Sequence, residues 1–529
     1  MPERKLLAVL FAVLALAARL PFLVTGKIPF DSDEAVEGLM ARHVLDGELP
    51  AFFWGQAFKG VPEIYASAAA FALLGPSVAV LKSVTLILFA IYVALNFVLL
   101  DRLGFRWIAA SASLLLIFAP PALVFWSLDA SAEYVIVMLL GTILLLRCLR
   151  PHGIQDPRAT YATFPVGMVI GLGMWTHQLF MVYLIPLGAI LAMRSDRWNR
   201  GVGRLNRFAL AFSAIAALYF ALGVVAFVSG GFSLEVGSIV ISATAPQKMA
   251  RIAIAVLVLA AFVQFVGSTS PAQAYAGLGR YWPAAAGFLI GYGPVLLYSV
   301  LVEPARSPAR VANFHQMAAA APDIFGNIVP ILAGFKIPPT TDRLPLPIVT
   351  VIPGAVALAT YLWFSRGRLT TDFFALFVVF FPLLFLASGA YLDTQSYRYL
   401  VPWYAGLCVA WAAGSLAVAQ IVRLKPDVTY YAASVVVGAI IAVHAWQQVI
   451  WYQKLQPDTQ SLATVECLKR KGIRGGYAEY WTAYKLTFLA QEEIIIAPAN
   501  GIDRYPRYTE YVRALPAHEQ INVENAACP

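Results

Sequence analysis

Charged side chains are the scarcest class in this sequence, 13% of 529 residues against 60% hydrophobic. That shortage excludes an ordinary globular enzyme and leaves no soluble cytoplasmic stretch able to hold a nucleotide sugar. Cysteine is nearly absent, with four residues, and CxxC, HExxH, P-loop and GxGxxG patterns do not occur. A thiolate zinc cage, a zincin helix and a nucleotide cradle are therefore unsupported. The excess of Lys and Arg, net charge +9, sits largely in short clusters between apolar runs. Such clusters orient membrane helices and are not a nucleic-acid face.

What the chain has in quantity is apolar length, with a mean hydropathy of +0.71. Arg4-Lys5 precedes the run Leu6 to Val24, long enough to cross roughly 30 Å of hydrocarbon with the N-terminus in the cytoplasm. Ala15-Leu16-Ala17 resembles a signal-peptidase site, but the apolar run continues past it, so an uncleaved anchor is expected. Further spans are read at Val78 to Leu100, Trp107 to Ser127 and Ala132 to Leu149. The segment 162–193 is about 32 residues long with a basic loop at each end, so it divides into two short spans meeting near Trp175-Thr176-His177-Gln178. Later spans are Phe208 to Val228, Ile252 to Val266, Trp282 to Val302, Pro347 to Phe364, Phe373 to Ala390, Val401 to Ile421 and Tyr430 to Ile450. Thirteen crossings put the C-terminal tail outside. The stretch Phe325 to Phe335 reads as an interfacial or re-entrant helix.

From Tyr452 the long apolar runs stop. A helix around Asp458 to Lys471, a Gly475-Gly476 turn and a β-like run from Glu493 to Ala497 describe a small α/β cap. The expected architecture is thus an all-α polytopic membrane domain, residues 1–451, with a first outer loop at 25–77 and an extracytoplasmic cap at 452–529. Cys467 and Cys528 both fall in the tail and would pair if that compartment is oxidising.

The densest chemistry lies directly after the first span, where Pro29-Phe30-Asp31-Ser32-Asp33-Glu34-Ala35 holds three carboxylates. Helix capping explains part of it: Asp31 and Glu34 have capping-box spacing, and Val36, Leu39, Met40 and Val44 form an apolar stripe behind them. Asp33 remains over. The same loop carries His43, Lys59, Glu63 and the rings of Phe52, Phe53, Trp54 and Phe58, a mixture that seats a sugar or, for the rings alone, an interfacial aromatic belt.

Asp33-Glu34-Ala35, with Gly38 to His43 and Phe52 to Gly60 ahead of Glu63, resembles the first outer loop of C-type (GT-C) membrane glycosyltransferases. The nearest group is the bacterial relatives of protein O-mannosyltransferases and of the lipid A aminoarabinose transferase. Arg398-Tyr399-Leu400-Val401-Pro402 and Gly476 to Tyr484 are similar to further stretches of that family. The resemblance implies a bacterial inner-membrane enzyme that takes a sugar from a polyprenyl-phosphate carrier and passes it to a hydroxyl acceptor on a lipid, glycan or protein. It maps the family's acidic pair onto Asp33 and Glu34, while Asp31 is an extra acid.

Attack at an anomeric carbon needs a base for the acceptor and a cation for the departing phosphate. Asp33 is the expected base, aided by Glu34 or Asp31, and direct displacement inverts the anomeric centre. Arg398 beside Tyr399, and Lys59, are candidates for the phosphate; His177 and Gln178 meet the same site from the outward turn, with Glu133 a further candidate. Asp33, Glu63 and water suit Mg²⁺ or Mn²⁺. The competing reading is a transporter or flippase, against which stand the absence of repeated halves and the position of the acids in a loop.

Overall fold

The computed structural model describes residues 2–131, 133–149, 163–194, 207–236, 239–243, 249, 252–253, 256, 259–260, 271–303, 313–338, 340, 342–344, 348–368, 372–389, 393–423, 425–525 and 528. Most of the span expected at Ile252 to Val266, and the basic loops after Leu149 and Arg194, lie outside the described residues.

The opening span is α1 (Pro2–Val24). The first loop folds into α2 (Ser32–Leu45) and α3 (Pro62–Leu74), and α4 (Val78–Arg102) returns. The third expected span is broken: α5 (Arg106–Ile117) and α6 (Pro121–Trp126) flank Pro120-Pro121, which cannot donate to the preceding turn. Carbonyls freed by such a break in a membrane need donors. Arg19 of α1, fully buried, supplies them, its guanidinium donating to the Ile117 carbonyl, to the Leu116 carbonyl at 3.0 Å and to Ser127 Oγ at 3.2 Å. An arginine inside a span is thus explained by a broken neighbour.

The next helices are α7 (Glu133–Cys148), α8 (Phe164–Thr176) and α9 (Met181–Arg194). The long segment 162–193 divides where its basic flanks require, at His177, whose extended backbone (φ −163°, ψ 143°) interrupts α8 before a 3-10 turn at Gln178–Phe180. Beyond α10 (Arg207–Ser229) and a hairpin of β1 (Phe232–Val236) and β2 (Ile239–Ala243) come α11 (Pro271–Gly291) and α12 (Gly293–Leu301). Helix α11 crosses α8 with Gly167 and Gly171 facing Gly287 and Gly291; a Cβ on any of the four would meet partner backbone. Close backbone approach of this kind packs helices where no water drives association.

Helix α13 (Phe314–Asp323) leads into the stretch expected to be interfacial or re-entrant, Phe325 to Phe335, which is taken up by a wide turn at Ile324–Ile328 and a last turn at Val329–Leu332. Helices α14 (Ile352–Ser365), α15 (Phe373–Ser388), α16 (Tyr404–Ile421) and α17 (Pro426–Lys454) complete the apolar body. Among the described residues five helices are long and apolar enough to cross a membrane, six if Tyr281–Gly291 and Gly293–Leu301, bent by 59°, count as one span. Six other apolar helices have 10–17 residues. Breaks such as the one at Pro120-Pro121 make several expected spans short.

The tail forms α18 (Thr459–Arg470), β3 (Gly475–Ala478), α19 (Tyr480–Leu489), β4 (Ile495–Pro498), α20 (Pro506–Ala514) and β5 (Gln520–Asn522). Its three strands run parallel in the order β4-β3-β5. Gly475 and Gly476, expected to turn, are instead in the central strand, because a Cβ on Gly476 would collide with the Ile521 carbonyl of β5. Their lack of side chains admits a neighbouring strand and an apolar lid, not a reversal. Cys467 and Cys528 are joined in a disulfide across 61 residues of sequence. Helix α19 lies on α2, with the Phe488 ring over Gly38, where a Cβ would strike it.

Candidate active site beside the first loop

Helix α2 begins where the acids begin. Asp31 caps it, accepting from the Glu34 amide at 3.0 Å, so the capping reading of Asp31 holds. Burial, then the charges of Asp129 and Asp33, push the Asp31 carboxyl up to about 6. Glu34 does not close the capping box expected of it. Its carboxylate turns inward, 1% exposed, onto the Lys82 ammonium and the Ala130 amide at 2.7 Å. Lys82, five residues into α4, also donates to the Pro29 carbonyl at 2.9 Å. Two of the three acids thus organise the loop.

Asp33 is different. Its side chain is 29% exposed, and its Oδ1 receives the Tyr480 hydroxyl and faces Arg504 Nη2 at 3.7 Å, both from the tail. Arg504 is itself held: its Nε donates to the Tyr480 hydroxyl at 3.1 Å and, with the Gln56 amide oriented to accept, both terminal nitrogens donate to Gln56 at 2.8 and 2.9 Å. The backbone amides of Arg504 and Tyr505 donate to the Tyr484 hydroxyl at 2.6 and 3.1 Å. The small α/β unit therefore completes the surroundings of Asp33.

One turn further along α2, Glu37 faces a second set of acids. Glu37, Glu63 and Glu133 are all buried, with a carboxylate oxygen of each within 4.8 Å of the others. Lys59 reaches in, 2.8 Å from Glu37 and 3.3 Å from Glu133. One ammonium cannot balance three carboxylates. Among the described residues both Glu63 oxygens have no hydrogen-bond partner, and burial raises the Glu63 carboxyl to about 8 against the opposing charge of Lys59. The metal pair expected from Asp33 and Glu63 is corrected here. Glu63 gathers with Glu37 and Glu133, and Asp33 lies outside that group: it stands one turn before Glu37 on the same side of α2, but its carboxylate is taken by Tyr480 and Arg504 of the tail.

The cations expected to meet a phosphate come to the same region. Arg398, in a 3-10 helix at Thr394–Trp403, lies 5.3 Å from the Tyr399 ring centre, and its Nε is buried without a partner among the described residues. Tyr399 contacts both Tyr134 and His177 at 6.1 Å between ring centres. The charges of Arg398, Glu133 and Lys59 all act on the Tyr134 phenol, and those of Lys59 and Arg398 on His177. The His177 Nδ1 accepts from the Leu179 amide at 3.0 Å, and Gln178 opens the turn beside it.

Solved structures share part of this shape at low sequence identity. The chain aligns over 98% of its length with 89% of ArnT from Cupriavidus metallidurans, at 11% identity and a TM-score of 0.49 in the apo state. Bound to undecaprenyl phosphate, ArnT aligns over the same shares at 10% identity and 0.48. An oligosaccharyltransferase from Archaeoglobus fulgidus, in complex with zinc and sulfate, matches 92% of this chain at 13% identity and 0.49, the match spanning 62% of that protein. No family model and no curated protein matches the chain.

Two expected substrate contacts have another occupation. His43 sits against Glu492 at 3.0 Å and Glu48 at 3.2 Å, and Trp54 stacks on Tyr505 with ring centres 4.0 Å apart. Both fasten the loop to the tail, since a half-buried imidazole between two carboxylates is already satisfied. Trp54 also lines, with Phe52, Gln56, Tyr65 and Tyr298, a cleft of about 750 Å³.

Sequence reasoning named Glu133 only as a further candidate and missed Asp129, Glu37, Lys82, Tyr134, Gln56 and Arg504. Lys82 and Glu37 had signals: a lysine early in an apolar span, and an acid one turn after Asp33. Arg504 had none.

Proposed function

We propose that this chain is a membrane glycosyltransferase that moves a sugar from a polyprenyl-phosphate carrier to a hydroxyl acceptor at the non-cytoplasmic face. The observation that carries the proposal is the division of labour around α2: a partly exposed carboxylate, Asp33, held from the tail by Tyr480 and Arg504, and one turn along the helix the buried Lys59, whose charge falls together with that of Arg398 on Tyr134 and His177. Acids without cations would suit ion passage. Cations without a free acid would suit anion binding.

In this reading Asp33 takes the proton of the acceptor hydroxyl as that oxygen bonds to the anomeric carbon. The bond from that carbon to the carrier phosphate breaks, and the charge left on the phosphate is met by Arg398 and Lys59. One displacement inverts the anomeric centre, and no enzyme nucleophile is required. Arg504 and Tyr480 orient Asp33 through Oδ1. Asp31 and Glu34 act as scaffold. Tyr399, His177 and Gln178 line the sugar and phosphate.

Glu37, Glu63 and Glu133 fit a hard divalent cation such as Mg²⁺ or Mn²⁺, because three oxygen donors converge and Glu63 has no other partner among the described residues. Such an ion would add positive charge beside Lys59. The disulfide supports an oxidising compartment for the tail, as at the outer side of a bacterial inner membrane.

The test is Asp33→Asn, assayed for transfer from a lipid-linked sugar in proteoliposomes. Transfer falls by roughly 10² to 10⁴, the usual share of a general base, while insertion and folding persist. Near wild-type turnover would remove Asp33 from this role.

A further inference from the structure

Far along the chain from the carboxylates, a second cavity of about 180 Å³ opens between α14, α16 and α17. Its walls are mostly apolar, among them Gly354, Leu358, Trp411 and Ile440, and three polar residues line it, Thr350 just ahead of α14 and His444 and Gln447 of α17. His444 is 6% exposed and Gln447 fully buried. Gln447 uses its Nε2 to donate to the Ala333 carbonyl at 3.0 Å, and among the described residues its Oε1 has no partner. The His444 ring is hydrogen-bonded to the Phe118 backbone, while its Nδ1 likewise has no partner among them.

The chemistry of the two unmatched atoms is the same. An imidazole that donates through one nitrogen to a carbonyl keeps a lone pair on the other. The amide Oε1 is an acceptor by nature. The walls of the cavity therefore carry two unmatched acceptors, His444 Nδ1 and the Gln447 Oε1 packed beside Gly334, and a bare acceptor buried that deeply is costly unless a donor meets it. Its size is close to that of cavities known to take one aromatic ring. Val351, 37% exposed, stands at its edge, so entry is from the apolar outer surface of the helix bundle.

We propose that this cavity is a second ligand site, which takes the hydroxyl-bearing end of a membrane-borne amphiphile no bulkier at that end than one ring. The hydroxyl donates to Gln447 or His444 and the apolar part lies among Leu358 and Ile440. The proposal stands apart from sugar transfer, since none of its residues lies in the Asp33 site.

The probe pair is 4-fluorophenol and 4-fluorotoluene, alike in size and differing in the donor. With the full chain in detergent micelles, ¹⁹F line broadening above that of empty micelles reads binding. Fluorophenol is expected to saturate and to bind at least about fivefold tighter than fluorotoluene, the worth of one net hydrogen bond. Gly354→Leu, which fills the cavity, should abolish the difference, and a diazirine alcohol should label peptides that contain 350–358, Trp411 or 440–447. Equal binding of the two probes, or none above the micelle background, as solvent alone in the cavity would give, overturns the proposal without recourse to a variant. Labelling confined to other helices also overturns it.

Discussion

Replacing Lys82 by Met isolates the contact on which the acidic loop depends. Lys82 and Glu34 are 3% and 1% exposed, and among the described residues the second Glu34 oxygen has no hydrogen-bond partner. Removing the ammonium leaves a buried carboxylate served by the Ala130 amide alone, a loss that in buried pairs costs about 3 to 5 kcal/mol. The double variant Lys82→Met, Glu34→Gln keeps the shape and the Ala130 contact with no charge to compensate, and should recover most of that loss. The size of the effect depends on pH. Burial and the Asp129 charge already hold the Glu34 carboxyl well above its usual range, with Lys82 opposing them. A raised carboxyl binds its proton more tightly in the native state, so its contribution is least unfavourable at low pH and worsens as pH rises above the unfolded value. The single variant should therefore lose more at pH 8 than at pH 5, while the double variant shows little pH dependence. Unfolding in mixed micelles, followed by tryptophan fluorescence, measures both. A single-variant loss under about 1 kcal/mol at pH 8, or a double variant no better than the single, would refute the pairing.

Arg504→Met should cut sugar transfer by tenfold or more with little change in the lipid-donor KM, since Arg504 faces Asp33 at 3.7 Å from the tail and not the phosphate cations; unchanged turnover would make the contact incidental. Docking of the tail on α2 should be firmest between about pH 4.5 and 6.5. Burial works against both charges, but Glu492 and Glu48 raise His43 from 6.5, and His43, Tyr508 and Arg42 lower Glu492 from 4.5. The His43 share is complete below 6.5 and lost as pH rises through its folded value; the Glu492 share is complete above 4.5 and lost as pH falls through its own. Hydrogen exchange across 492–512 reads this window, and Glu492→Gln should flatten it. Reducing Cys467–Cys528 opens a loop of 61 residues, worth roughly 4 kcal/mol of chain entropy, so the tail should become protease-sensitive before the helices do.

Much of the architecture was legible in one dimension because each feature has a local cause. Apolar runs and basic flanks report the bilayer. Asp31 reports a helix start, since capping needs only its own side chain and the amide three residues on. The division of 162–193 at His177 followed from charge on both flanks. Gly475-Gly476 misled, because the pair permits either a turn or a tightly packed strand and only Ile521, some 45 residues later, decides between them.

By itself the amino-acid order determined that this is a membrane protein with an acidic loop after its first span, and which residues have the chemistry to act. Only tertiary structure decided their tasks. Lys82 and the Ala130 amide occupy Glu34, Glu37 and Glu133 occupy Lys59, and Arg504, more than four hundred residues away along the chain, reaches Asp33. Helical period and capping act over a few residues and can be read directly. Whether a buried charge is compensated depends on groups that the fold brings within a few ångströms, whatever their distance in sequence.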